Sequence, residues 1–249
     1  MSLFTRVSLR LASTAMVFAA VQSASAQVVV HGTRHIFPGD EKEITVRVEN
    51  VGNRSALVQA WTDLGDSRAM PEQSATPFVL HPAVFRLDGG NSRSFRVLLT
   101  QPDLPQDRES LYWLNVLDIP PAPAKDTAAS NQHLQFTLRT RTKLIYRPAG
   151  LKTPGRAAAD LQWSLQQAQG KWMLQARNST PHYVNMGKVE LRSNGRTHVA
   201  DSDEPVAPFS TQTYLLPTLD GAAAGGNVQF QYLNDQGGVV AQSTPLSGH

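Results

Sequence analysis

The chain has 249 residues, of which 41% are hydrophobic and 17% are charged, with 17 glycines, 16 prolines and no cysteine. This length and apolar content suit one large or two ordinary globular domains and exclude an intrinsically disordered chain. The absence of cysteine excludes a disulfide framework, a zinc site built on thiolates and a cysteine nucleophile.

The first 26 residues have the pattern of an export signal. Arg6 and Arg10 make the start positive, an apolar run extends from Leu11 to Val21, and Ala24 to Ala26 provide the small residues of a cleavage site. The apolar run is about 11 residues long, too short to cross a membrane. We therefore predict cleavage after Ala26, a periplasmic location and no membrane insertion.

The charge balance of the remaining chain argues against nucleic acid as a partner. The leader contains two arginines and no acidic residue, which leaves 21 basic and 20 acidic residues after cleavage. A nucleic-acid-binding protein would concentrate lysine and arginine on one face, and the sequence shows no such clustering.

The pattern along the chain predicts β-structure almost throughout. Four segments alternate apolar and polar residues with a period of two: Glu43 to Glu49, Ser94 to Leu98, Leu134 to Thr142 and Asn227 to Tyr232. Turn residues fall between such segments at Phe37 to Asp40, Asp88 to Asn91, Ser193 to Gly195 and Asp235 to Gly238. Short strands at this spacing predict an all-β sandwich or barrel.

Two Pro-containing segments suggest how the strands are grouped. The segment Arg147 to Gly155 contains two prolines and two glycines and ends a long β run. It predicts two domains, 27–147 and 148–249, with the second series of strands beginning near Leu161. The Pro- and Ala-rich segment Pro120 to His133 predicts an exposed connection that is long for a hairpin.

The sequence offers little that could support catalysis. It contains no phosphate-binding loop, no nucleophile elbow and no dinucleotide-binding glycine motif after a strand. His31 and His35 have helical spacing for a metal pair, but in a strand they would be roughly 13 Å apart. We therefore expect a binding protein with no catalytic residues, no metal and no cofactor.

Six groups of residues, in chain order, carry a resemblance to a known family. They are Thr33–Phe37 with Glu41–Ile44, Leu104–Leu111, Asn115 with Ile119–Pro121, Leu134–Pro148, Asn178–Val184 and Tyr232–Gly238. Together they resemble the periplasmic pilus (fimbrial) chaperones of the chaperone–usher pathway, the PapD-like family. The cysteine-free connection before Leu134 is similar to that of the family's short-loop branch.

This resemblance implies two immunoglobulin-like β-sandwich domains arranged at an angle, with a cleft between them. The partners would be pilin subunits, which lack their last strand, and the outer-membrane usher to which subunits are delivered. The chaperone would lend an edge strand to the subunit, the mode called donor-strand complementation. No cofactor is needed, since binding itself stabilises the subunit. Whether the free form self-associates to cover its strand is left open.

The resemblance also assigns roles to charged residues. Arg34 and Lys143 match the cleft cations that anchor the terminal carboxylate of the subunit. Glu109, Arg147 and Asp235 match an interdomain charge network that fixes the angle between the domains. Taken without the resemblance, all five could be ordinary solvated surface charges.

The donor strand would contain Leu134, Phe136 and Leu138. Alternation places these three side chains on one face, with Thr137 and four other polar or basic residues on the opposite face: Gln135, Arg139, Arg141 and Lys143. The ordinary interpretation is that the apolar face covers the protein's own core, and periodicity does not separate the two.

Two other functions remain open from the sequence. A structural or adhesive pilus component would share the β-sandwich fold, but such subunits usually carry cysteines, which this chain lacks. A secreted glycan-processing enzyme would need a pair of carboxylates at one site, and the acidic residues are scattered singly.

Overall fold

The computed structural model describes residues 27–101, 103–122, 136–151, 153–221 and 225–246. That part of the chain contains sixteen β-strands and one short 3-10 helix, Pro71–Gln73. It has no helix long and apolar enough to cross a membrane. The all-β fold expected from the period-two pattern is confirmed.

Nine strands form the first sandwich. Their bounds are β1 Val28–Val30, β2 Arg34–Pro38, β3 Glu43–Asn50, β4 Ala56–Asp63, β5 Phe78–His81, β6 Val84–Leu87, β7 Ser92–Leu99, β8 Ser110–Ile119 and β9 Leu138–Arg147. One sheet has the order β1-β3-β7-β5 and the other has the order β2-β9-β8-β4-β6. All pairings are antiparallel except that of β2 with β9, which is parallel.

At the start of this domain the chain passes from one sheet to the other. Strand β1 pairs with β3, and a few residues later β2 pairs with β9 in the opposite sheet. Gly32 lies between them with a φ of +95°, a conformation that favours glycine because it has no Cβ. This turn determines where β2 begins and how much of β9 it covers.

The core of the first sandwich lies between its two sheets. Phe78 contacts both Phe37 and Tyr112, with ring centroids 5.2 Å and 5.0 Å away. Leu144 and Tyr146 of β9 are fully or almost fully buried in the same cluster. The even-numbered side chains at this end of β9 therefore face the core.

Seven strands form the second sandwich. Their bounds are β10 Gln162–Ala168, β11 Lys171–Arg177, β12 Met186–Ser193, β13 Arg196–Val199, β14 Thr211–Leu215, β15 Asn227–Leu233 and β16 Val239–Pro245. The sheet orders are β10-β11-β14 and β13-β12-β15-β16. Trp163 packs between Phe230 and Tyr214, with centroid distances of 5.2 Å and 5.9 Å. This second core shares no residue with the first.

Candidate functional site

Strand β9 has a neighbour on both sides along only half of its length. It pairs with β8 from Leu138 to Tyr146, whereas β2 covers only Lys143 to Arg147. No described strand pairs with the opposite edge of residues 138–142. Half of the backbone N–H and C=O groups of this segment, which we call the free edge, therefore point away from the sheet.

The apolar face of β9 continues beyond the protein's own core. Leu144 and Tyr146 are buried, but Leu138 on the same face is 43% exposed and Phe136 is 63% exposed. The part of this face at Leu144 and Tyr146 therefore covers the protein's own core, whereas the part at Phe136 and Leu138 does not, and the donor role of these two residues stays a prediction. Leu134, the third predicted donor residue, lies outside the described residues. Thr137 is exposed, so this residue of the odd-numbered face does not pack into the domain interior.

Arg34 and Lys143 lie side by side where the free edge ends. They are directly paired in the parallel register of β2 and β9. The Nη1 of Arg34 donates to the carbonyl of Leu233 in the second domain at 2.8 Å, and its buried Nε has no hydrogen-bond partner among the described residues. The Lys143 ammonium lies 5.7 Å from the centre of the Trp113 ring and forms no ion pair with a described residue.

The surroundings of both cations disfavour their charge. Burial lowers the pKa of Lys143, and the neighbouring Arg34 lowers it further, against the attraction of Asp203 and Glu204. Burial also lowers the pKa of the Arg34 guanidinium, partly opposed by Asp235. A carboxylate placed between these groups would relieve both effects.

The structure brings Glu109, Arg147 and Asp235 together at the domain interface. The Nε of Arg147 donates to Glu109 at 2.6 Å, while its two terminal nitrogens donate to the Asp235 carboxylate at 2.8 and 3.0 Å. Burial alone would lower the pKa of Arg147, but the hydrogen bonds and charges of Asp235 and Glu109 raise it above its ordinary value. This cation is fully neutralised within the chain.

Two residues of the second domain join this network without having been identified from the sequence. The Nδ1 of His182 lies 3.1 Å from the Glu109 carboxylate, and the backbone N–H of Tyr183 donates to the same carboxylate at 2.7 Å. Both lie in the segment Asn178–Val184 that contributed to the resemblance. One of the two contacts is made by the backbone N–H of Tyr183, and the amino-acid sequence gives no sign of a contact made by a backbone group.

The two domains approach closely around these charges. The backbone N–H of Glu109 donates to the carbonyl of Pro181 at 2.9 Å. Gly237 has a φ of +81°, and a Cβ there would lie 2.6 Å from the hydroxyl of Thr33, so glycine favours this close approach of the domains. A pocket of about 240 Å³ lies at the interface, lined by both domains, with Ile145 and Arg147 on one side and Tyr183 and Leu233 on the other.

A second charged cluster lies on the odd-numbered face of β9, beside the free edge. Arg139 and Arg141 both reach across β8 to the buried carboxylate of Asp63 at the end of β4. The sequence placed both arginines on this face but gave no indication of Asp63 as their partner. Among the described residues, no group of three or more His, Asp or Glu side chains could hold a metal ion.

Two family models match the chain in the order of its two sandwiches. The model described as the pili and flagellar-assembly chaperone PapD N-terminal domain matches residues 27–152. The model described as the pili assembly chaperone PapD C-terminal domain matches residues 156–244. The chain belongs to the PapD family of pilus-assembly chaperones.

Curated relatives and solved structures agree with this assignment. The probable fimbrial chaperone YadV of Escherichia coli strain K12 is 39% identical over 235 residues, 94% of each chain. The chaperone protein FimB/FhaD of Bordetella pertussis is 37% identical, covering 94% of this chain and 93% of its own.

The crystal structure of the YadV chaperone superposes with a TM-score of 0.76 at 36% identity, covering 89% of this chain and all of its own. The SafB chaperone of Salmonella enterica, solved in complex with the SafA pilin, has a TM-score of 0.72 at 27% identity, covering 90% and 96%.

Family membership confirms several expectations from the sequence. The fold is two immunoglobulin-like β-sandwiches, and the protein acts as a chaperone in pilus assembly, a role that is not enzymatic. The two alternatives, a structural or adhesive pilus component and a glycan-processing enzyme, are thereby set aside. Chaperones of this family are periplasmic. The predicted signal peptide lies outside the described residues, and the domain boundaries and branch assignment stay predictions.

Proposed function

We propose that this chaperone captures pilin subunits on the free edge of β9, with the subunit's terminal carboxylate bound by Arg34 and Lys143. The captured subunit would then be delivered to an outer-membrane usher. The observation that carries the proposal is the coincidence of three features along one side of β9. The exposed side chains of Phe136 and Leu138 lie where the strand begins, the free edge follows at residues 138–142, and Lys143 comes next with Arg34 of β2 beside it.

The free edge supports strand addition. An incoming extended segment can form backbone hydrogen bonds with residues 138–142 where β2 does not reach. In the same register, the exposed side chains of Phe136 and Leu138 would enter the open groove of an incomplete sandwich. Burial of an aromatic ring and a leucine in this way contributes roughly 1.5–3 kcal/mol each.

The charge distribution supports the anchoring role of the cleft cations. Arg147 is neutralised by Glu109 and Asp235, and Arg139 and Arg141 share Asp63. Arg34 and Lys143 form no ion pair within the described residues. A single carboxylate could accept charge-assisted hydrogen bonds from both, and such bonds are strong where water is partly excluded.

The network of Glu109, Arg147 and Asp235 is proposed to hold the two domains at the angle that forms the cleft. In support, Arg147 of β9 binds Asp235 of the second domain, and Glu109, which precedes β8, binds Arg147 and lies within hydrogen-bonding distance of His182. A buried charge network of this kind specifies geometry more than it adds stability.

The test of the proposal uses the variant Phe136→Ser, with Thr137→Ala as its matched control. Both positions are exposed and adjacent, but they lie on opposite faces of the same segment. A tagged periplasmic form of each variant is co-expressed with a pilin subunit from the same organism. Co-purified pilin and the melting temperature of the free chaperone are both measured.

We expect Phe136→Ser to reduce the co-purified pilin strongly while changing the stability of the free chaperone by no more than about 0.5 kcal/mol. Thr137→Ala should leave both quantities unchanged. A strongly destabilised Phe136→Ser monomer would show that this ring belongs to the protein's own core. Wild-type pilin yield with Phe136→Ser would remove the donor-strand role.

Export is proposed to end with cleavage after Ala26, giving a mature periplasmic chain that begins at Gln27. The support is the leader pattern of the sequence together with the periplasmic location of the family. Amino-terminal sequencing of the periplasmic fraction tests it, and a retained leader or a different first residue would contradict it.

A further inference from the structure

The side chain of Asp63 is buried on the outer face of the β2-β9-β8-β4-β6 sheet. It is 2% exposed and accepts hydrogen bonds from Asn115 at 2.7 Å, Arg141 at 2.8 Å and Arg139 at 3.2 Å. The two arginines come from β9, two strands away from Asp63 in the sheet order. Their side chains therefore connect β9 to β4 across the top of β8.

Asn115 of β8, the strand between β9 and β4, also binds both arginines. Its Oδ1 accepts hydrogen bonds from the Nε atoms of Arg139 and Arg141 at 2.9 and 3.0 Å. Asn115 is completely buried, so both of its side-chain functions are satisfied inside this cluster. A buried amide with this set of partners holds its neighbours in one arrangement.

Two tryptophans stack on the arginines and restrict them further. The Arg139 guanidinium lies 4.6 Å from the ring centre of Trp61, and that of Arg141 lies 4.6 Å from the ring centre of Trp113. Arg139 also donates to the carbonyl of Ser67 at 2.7 Å. The hydrogen bonds and the stacked ring together hold each guanidinium group in one orientation.

The location of this cluster is what suggests its role. Arg139 and Arg141 are alternate residues of the free edge, the segment 138–142 that has a strand neighbour on only one side. A strand paired on one side loses order more easily than one paired on both, because half of its backbone groups are unbonded. The side-chain bonds to Asp63 and Asn115 supply an attachment that β2 does not give there.

We propose that Asp63 and Asn115 are positioning residues that hold the free edge of β9 extended before a pilin subunit arrives. Neither residue contacts the subunit in this scheme; both act through Arg139 and Arg141. The inference rests on the proposed function of the free edge as the subunit-binding strand. Ordering these residues in advance removes an entropic cost from the capture step.

The experiment compares the intact chaperone with the variant Asp63→Asn. Asparagine keeps the size of the side chain and an oxygen that can accept the Gly65 N–H, which lies 2.7 Å from Asp63. The control is Glu43→Gln, an equal change of charge at the exposed pair that Glu43 forms with Arg96 at 3.2 Å on the other sheet. Amide hydrogen exchange, melting temperature and the rate of pilin capture are measured for each.

We expect Asp63→Asn to lower the protection of the β8-bonded amides in residues 138–142 by about tenfold, while amides of β3 and β7 keep theirs. Capture of the co-expressed pilin should slow by about the same factor. Glu43→Gln should change neither. Unchanged protection at 138–142 would overturn the inference, and so would a loss of protection spread over the whole domain with a falling melting temperature.

A second variant keeps the test decisive if Asp63→Asn does not fold. Arg139→Gln removes one guanidinium and leaves Asp63 paired with Arg141 at 2.8 Å. It should give the same local loss of protection, and normal protection in this variant would equally overturn the inference. Because exchange is measured on the free chaperone, this result stands even if the wild type captures no pilin, which would count against the proposed function alone.

Discussion

Two cationic side chains on the same face of β9, four residues apart, have opposite surroundings. Arg147 is held by Glu109 and Asp235, and their hydrogen bonds and charges raise its pKa above the ordinary value. Lys143 is buried beside another cation, Arg34, and its pKa is lowered by that burial and that charge. Arg147 forms ion pairs within the chain, whereas Lys143 forms none with a described residue and feels Asp203 and Glu204 only as an opposing attraction.

This contrast distinguishes the charge that we propose maintains the domain arrangement, Arg147, from the charge that we propose binds a partner, Lys143. A buried ion pair with complete hydrogen bonding fixes geometry, and breaking it leaves an uncompensated charge. A partly buried cation without a counterion lowers the stability of the free protein and gains most when an anion arrives. The two kinds of site should therefore respond oppositely to substitution.

The largest effect on folding is expected for Arg147→Ala. This change leaves Glu109, which is 2% exposed, without its cationic partner, and should cost about 3–5 kcal/mol of unfolding free energy. Urea denaturation at neutral pH measures it. The control is Arg96→Ala at the exposed pair with Glu43, for which a change within about 1 kcal/mol is expected. Equal losses in the two variants would remove the distinction between the networks.

The second effect falls on binding rather than on folding. Lys143→Met should weaken pilin capture by about 2–5 kcal/mol, because a carboxylate desolvated on binding loses one of its two cationic partners. The melting temperature of the free variant should equal or exceed that of the wild type, since an unneutralised charge has been removed. A clear drop in melting temperature with normal capture would place Lys143 among the structural charges instead.

The third effect concerns His35, the neighbour of Arg34, whose buried Nε2 has no hydrogen-bond partner among the described residues. Burial lowers the pKa of His35 from 6.5 to about 4. Between these values the unfolded chain takes up a proton that the folded chain does not, so stability falls as the pH falls. The loss should reach about 3 kcal/mol.

Denaturation curves from pH 7 to pH 4 measure this dependence on the wild type and on His35→Leu. The variant lacks the titrating group and should lose correspondingly less stability over the same range. Parallel pH profiles for the two proteins would show that His35 does not contribute.

Much of the fold could be predicted from local pattern. The alternation over Glu43 to Glu49 and Asn227 to Tyr232 matches β3 and β15 closely, because period two directly reflects one buried and one exposed face. The turn at Ser193 to Gly195 is equally local, since Asn194 and Gly195 both have positive φ. Arg34 and Lys143 were identified through the resemblance, and their adjacency depends on a parallel pairing between distant segments.

The rest of the site depended on information that a linear pattern does not contain. Leu138 and Leu144 fall on the same face by period two, yet Leu144 is buried and Leu138 is 43% exposed, because β2 and the core end between them. Asp63 and His182 are ordinary single polar residues in the sequence. Their importance comes from cross-strand and interdomain contacts over more than 70 positions of chain.

The turn at Gly32 has a consequence for the register of any strand added to β9. Because β2 begins at Arg34, a strand added along residues 138–142 has to end where β2 starts, and in the proposed complex its terminal carboxylate would lie at Arg34 and Lys143. The partner's terminal carboxylate would then fix the register of the added strand relative to β9. Because side chains alternate with a period of two, this register decides which partner residues lie on the same face of the sheet as Leu138 and which lie on the opposite face. A shift of the Gly32 turn by one residue would reverse that assignment for the whole partner strand.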